Sequence, residues 1–73
     1  MDLDSAIIFR KQLPAIVAGD FDAADLLAEL QLLLKQATLR MGEAQRTRQN
    51  FWTDYWRGNV KLVRREILKV KVS

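Results

Sequence analysis

The sequence contains no cysteine and no histidine among its 73 residues. Without cysteine it can form neither a disulfide nor a thiolate metal site. Without histidine it lacks the side chain that most often acts as a general base or a metal ligand. The only serines, Ser5 and Ser73, lie near the chain ends, and no glycine-rich phosphate-binding motif is present. We therefore predict a protein that is not an enzyme and that uses no cofactor and no metal ion.

Long apolar runs are also missing. No run approaches the roughly 20 residues of a membrane-spanning helix, and the N-terminus lacks the basic and apolar regions of a signal peptide. We expect a soluble cytoplasmic protein with no membrane partner. A chain this short buries only about 60% of its unfolded surface. We predict one small helical domain over residues 1–73, comprising an N-terminal arm (1–19) and a basic C-terminal segment (60–73), which is stabilised by helix packing, self-association or a partner.

Proline and glycine are scarce, with one proline and three glycines in the chain. Pro14 is unfavourable inside a regular helix. We therefore expect either a short helix that begins near Asp4 or Ser5 and is broken at Pro14, or a short strand over residues 7–9. Gly19 is expected to terminate this arm, and Gly58 with Asn59 to mark a second helix end or turn.

Residues 20–41 are rich in strong helix formers, and three aspartates at their start suit a helix N-terminus. The aspartates lack the glycine turn and distal glutamate of a calcium loop. Apolar residues then recur at alternating spacings of four and three, as in a heptad seam. The seam is Ala23, Leu27, Leu30, Leu34, Ala37, Met41, Ala44, Arg48, Phe51 and Tyr55, and Arg48 is its one charged member.

This pattern predicts an all-α fold with one long amphipathic helix over about residues 22–57. At Gly42 the helix is expected to continue without interruption, to kink, or to end. The N- and C-terminal segments are expected to pack on the long helix, as a helical hairpin or in a dimer. For residues 60–73 we favour a returning helix with an extended or frayed tail, because Leu68, Val70 and Val72 alternate with lysines, as in a strand.

Charge is distributed unevenly along the chain. Residues 1–39 carry three basic and six acidic residues, a net charge of −3, and residues 40–73 carry nine basic and three acidic residues, a net charge of +6. Such asymmetry indicates an anionic partner for the basic half. The asymmetry is equally compatible with two halves whose opposite charges neutralise each other within a dimer or a folded hairpin.

Four of the six aromatic residues, Phe51, Trp52, Tyr55 and Trp56, crowd one broad face of the predicted helix. Part of this cluster is expected to close the core, and at least one ring to remain for a partner, since Trp, Tyr and Arg dominate interface hot spots. The predicted partner-binding residues are Phe51, Trp52, Tyr55 and Trp56, the surrounding Arg48, Arg57, Lys61, Arg64 and Arg65, and the arm residues Ile7, Ile8 and Phe9.

These features predict a small non-catalytic regulator, adaptor or inhibitor that binds a larger protein bearing an acidic patch. That protein could itself handle nucleic acid. One alternative is direct nucleic-acid binding by the basic C-terminal half, although no recognisable nucleic-acid-binding motif is present. The other is a structural subunit that assembles as a homodimer or a higher oligomer.

Overall fold

The structure, a computed structural model, describes residues 3–72 and contains three α-helices over that range: α1 (Leu3–Val17), α2 (Ala23–Arg46) and α3 (Asn50–Val72). The fold is all-α, as predicted. Short connections make successive helices antiparallel, so α1 and α3 run in the same direction. The α2–α3 interface is the most extensive, and α1 packs against both of its neighbours.

The prediction of one long helix over 22–57 is wrong, because the chain reverses at Thr47–Gln49. Arg48 adopts a left-handed conformation with φ of 56°. The Gln49 N–H donates to the Ala44 carbonyl (2.9 Å), and the Arg48 N–H donates to the Gln45 carbonyl (3.2 Å). These two hydrogen bonds form a Schellman motif, which closes α2 with arginine at the position that glycine usually occupies.

Side chains around the reversal stabilise it further. The Thr47 hydroxyl donates to the Glu43 carbonyl (2.9 Å), and the Gln49 amide donates to Thr47 Oγ1 (3.0 Å). Ala44 and Thr53 are buried on either side of the turn. Because both are small, α2 and α3 can approach closely here. The hairpin turn therefore forms without glycine or proline.

The glycines of the two long helices lie where we expected possible interruptions. Helix α2 continues through Gly42 without a break, and α3 continues through Gly58 and Asn59, so the predicted helix end at 58–59 is also wrong. A Cβ atom added at either glycine would meet no atom within 4 Å. Neither glycine is required for close packing.

Both uncertain ends of the chain are helical where the structure describes them. Helix α1 continues through Pro14, so the predicted helix break at Pro14 and the alternative of a strand over residues 7–9 are both wrong. Leu13 and Ile16 pack against the core on the two sides of Pro14, which is itself exposed. Helix α3 reaches Val72, so an extended tail is absent up to that residue; Ser73, Met1 and Asp2 lie outside the described residues.

The core lies between the three helices. Its fully or almost fully buried apolar residues are Ala6 and Phe9 from α1, Leu30, Leu33, Ala37 and Ala44 from α2, and Trp56, Val60, Val63 and Ile67 from α3. Asn59 is also fully buried, and its side-chain amide has no hydrogen-bonding partner among residues 3–72. Asp22 caps the N-terminus of α2, because its carboxylate accepts a hydrogen bond from the Asp25 N–H (2.8 Å), as the aspartate cluster predicts.

Candidate functional site: an aromatic surface and a basic edge

The aromatic residues form a continuous series of ring contacts from the surface to the core. Phe51 stacks on Tyr55 (centroids 6.4 Å apart) and meets Trp52 edge to face (5.1 Å). Tyr55 contacts Trp56 edge to face (5.4 Å). Trp56 in turn contacts Phe9 of α1 in the same way (5.1 Å). Offset and edge-to-face contacts of this kind are favourable beyond the area they bury.

Exposure falls steeply along this series. Phe51 is 71% exposed and Trp56 is completely buried. Trp52 and Tyr55 are half-buried between them. Phe9, at the end of the series, is also buried. Trp56 and Phe9, both predicted to contact a partner, therefore offer no surface to one in this conformation, whereas Phe51 does.

Tyr55 connects the aromatic series to α1. Its hydroxyl donates to the Ala6 carbonyl (3.1 Å), and the Arg10 guanidinium lies over its ring, 5.1 Å from the centroid. Arg10 was not predicted as a site residue, because only the docking of α1 places it beside the aromatic residues. Such cation–π contacts stabilise the pair modestly and also hold the arginine in position.

Apolar side chains of α1 extend the exposed aromatic area. Leu3 and Ile7 are 61% and 44% exposed. They lie on the same side of α1 as Arg10, which faces Tyr55. Since α1 and α3 run in the same direction, Leu3 lies one turn beyond Ile7 at the end of the bundle where Phe51 lies. We call the set Leu3, Ile7, Phe51, Trp52 and Tyr55 the aromatic surface. Ile8, which is 54% exposed, points away from it towards solvent.

Most cations of α3 occupy the opposite side of the helix from Tyr55, whereas Lys69 lies on the Tyr55 side and pairs with Glu66 (3.2 Å). At about 100° per residue, Arg57, Lys61, Arg64 and Lys71 follow one exposed line at spacings of four, three and seven, with the exposed Leu68 between the last two. We call Arg57, Lys61, Arg64, Leu68 and Lys71 the basic edge. Arg65 points outwards beside it, and Arg48 lies exposed at the turn. The predicted face combining aromatic rings and cations is thus divided between two sides of α3.

Few acidic side chains neutralise the basic edge. Arg57 forms an exposed ion pair with Asp54 (3.2 Å). Within residues 3–72, no acidic group lies within ion-pair distance of Lys61, Arg64 or Arg65. An exposed pair such as Arg57–Asp54 contributes little to stability. Lys61 and Arg64 are therefore free to meet an external anionic group.

No three acidic side chains of residues 3–72 are close enough together to hold a metal ion. Nor does any helix over these residues have the length and apolar character needed to cross a bilayer. The main surface features of the described residues are thus the apolar aromatic surface and the cationic basic edge.

Comparison with known proteins gives no further guide, since no protein-family model matches the chain and no curated protein or solved structure is significantly similar to it. The arrangement of helices and side chains described above is thus the basis for the functional proposal.

Proposed function

We propose that this protein is a small non-catalytic binding protein, a regulator or adaptor, that docks on a larger protein through the aromatic surface. The observation that carries the proposal is the position of Phe51, whose ring is 71% exposed yet stacked on Tyr55. An exposed ring that is already held in one orientation loses little entropy on binding, which favours affinity.

The residues around Phe51 form a surface that suits contact with a protein partner better than contact with water. Leu3, Ile7, Trp52 and Tyr55 supply apolar area around Phe51, and Arg10 lies at the border of the same surface. Aromatic residues bordered by arginine are the composition found at interface hot spots. An acidic patch on the partner, next to an apolar pocket for Phe51, would complement this surface in both charge and shape.

The test is a pull-down from nuclease-treated native lysate, in which wild-type protein is compared with Phe51→Ser and with the control Leu39→Ser. Leu39 is 61% exposed on the outer side of α2, so the control also removes a large exposed apolar side chain, at a distant position. We expect a stoichiometric protein partner that is retained by wild type and Leu39→Ser and lost with Phe51→Ser. Equal capture by all three proteins, with both variants folded by circular dichroism, would contradict the proposal.

Direct nucleic-acid binding is a second candidate, favoured by one observation: the line of cations along the basic edge is largely unpaired. Its signature is affinity that falls steeply with salt concentration. A nucleic acid recovered before nuclease treatment, with no protein recovered after it, would support this candidate over the aromatic surface. A homodimer formed through the aromatic surface would be revealed by sedimentation of the pure protein.

A further inference from the structure

We propose a second binding surface on the side of the α2–α3 hairpin opposite α1, which accepts an acidic amphipathic helix from a partner protein. The hairpin has two long grooves where α2 and α3 meet. Tyr55 contacts α1, so α1 lies along the groove on the Tyr55 side of α3. The basic edge lies on the other side of α3. It therefore borders the groove that α1 leaves open.

The floor of the open groove is apolar. On α2, Leu27, Leu34 and Met41 recur every seven residues beside the buried line of Leu30 and Ala37. All three are only partly buried. In contrast, Leu33, which lies next to Leu30 and Ala37 on the side of α2 that faces α1, is only 3% exposed. The difference follows from the position of α1, which covers one side of the line and not the other. The three side chains span 14 residues of helix, or roughly 21 Å.

The rim of the open groove is cationic on the α3 side and mainly uncharged on the α2 side. The α3 rim is the basic edge, in which the 61% exposed Leu68 extends the apolar area. The α2 rim carries Gln31, Thr38 and Gln45, with the exposed Lys35 further out on the same side of the helix. The acidic residues of α2, namely Asp25, Glu29 and Glu43, all fall on the α1 side of that helix. No acidic residue of α2 therefore opposes the cations across this groove.

An apolar floor beside a cationic rim fits a helix with an apolar stripe and acidic flanks. Helix α1 illustrates the mode, because a helix of 15 residues already lies in the corresponding groove on the opposite side. A partner helix of similar length would cover Leu27, Leu34 and Met41 and place its acidic residues beside Lys61 and Arg64. Phosphates would gain nothing from the leucine floor, and α1 of a second copy would bring Arg10 and Lys11, which repel the rim.

The test uses a fluorescein-labelled synthetic helix of about 15 residues, with leucine along one face and glutamate on both flanks, titrated with the intact protein. Two comparison peptides keep the length: one has the same residues in scrambled order, and the other has lysine in place of glutamate. A labelled single-stranded oligonucleotide of similar length is titrated in parallel. The protein variants are Lys61→Glu/Arg64→Glu and, as a control with the same change in net charge, Lys11→Glu/Lys69→Glu. All four substituted residues are exposed on helices, so both variants should fold, which circular dichroism checks.

We expect saturable binding of the acidic amphipathic peptide, and much weaker binding of both comparison peptides. Lys61→Glu/Arg64→Glu should weaken binding about tenfold or more, whereas the control pair should change it less than about twofold. The proposal would be overturned by equal binding of the scrambled peptide, by equal loss of binding in both protein variants, or by an oligonucleotide affinity that exceeds that of the peptide. The last of these would assign the basic edge to nucleic acid. Absence of saturable binding by any probe would also overturn it.

Discussion

The two sides of the α2–α3 hairpin differ in what covers them. On one side α1 brings Phe9 against Trp56 and accepts the Tyr55 hydrogen bond at Ala6. On the other side Leu34 and Met41 remain partly exposed beside Lys61 and Arg64. The two sides are built from the same pair of helices. The comparison therefore shows that one short docked helix determines which apolar residues become core and which remain available for binding.

The largest expected effect is on the covered side. Trp56→Ala should destabilise the protein by about 3–5 kcal/mol, because it removes a fully buried indole and its contact with Phe9. A domain of this size has about that much stability in total, so we expect loss of the helical circular dichroism signal at room temperature. Phe51→Ala, which removes an exposed ring, should change the free energy of unfolding by less than about 0.5 kcal/mol. Equal effects of the two substitutions in urea denaturation would refute the assignment of core and surface rings.

Asn59 offers a sharper test of packing on the covered side. Its buried amide has no hydrogen-bonding partner among the described residues, and Asn59 lies between the buried line of α3 and the side that faces α1. An unsatisfied buried polar group costs about 1–3 kcal/mol. Asn59→Leu, which keeps the branched shape without polar atoms, should therefore raise the free energy of unfolding by about 1–2 kcal/mol. A decrease, measured by urea denaturation against wild type, would show that the amide is satisfied in solution.

The smallest effect concerns the turn that creates the two sides. Arg48 has a left-handed conformation that glycine adopts without strain, so Arg48→Gly should stabilise the protein by about 1 kcal/mol. In an uninterrupted helix through residue 48 the same change would instead destabilise by about 1 kcal/mol. The sign of the change in thermal unfolding therefore distinguishes the hairpin from one long helix. Gly58→Ala provides the matched comparison: it lies inside α3 with open space around it and should stabilise by about 0.5–1 kcal/mol.

The sequence was sufficient to predict an all-helical fold but not to locate the turn. Helix-forming composition and the alternation of four and three identify α2 and the first two turns of α3. The turn was missed because Gly42 and Gly58, the residues expected to interrupt helices, lie inside them, and the reversal uses Arg48. One signal was present: Arg48 is the single charged residue in an otherwise apolar seam. A charge there cannot enter the core of a long helix pair at low cost, and the chain turns at that residue.

The candidate site was predictable in composition and not in arrangement. The clustering of Phe51 to Trp56 indicates that these rings matter, but four rings on one broad face of a helix do not reveal which is buried. That depends on where α1 docks through Phe9, and the same docking brings Arg10 over Tyr55. The division of the rings from the cations of α3 follows from helical spacing once the buried line of Trp56, Val60 and Val63 is known. The sequence of α3 alone does not show that these residues are the buried ones, because their burial depends on how α1 and α2 pack against α3.

The account's central claim is that α1 covers only one side of the hairpin, and nuclear Overhauser contacts in the isotopically labelled protein test it most directly. We expect contacts between the Phe9 ring and the Trp56 indole and between α1 side chains and the Leu33 methyl groups, with none from α1 to Leu34 or Met41. Contacts from Phe9 or Leu13 to the Met41 methyl group would contradict the claim, because α1 would then occupy the groove that we propose is open.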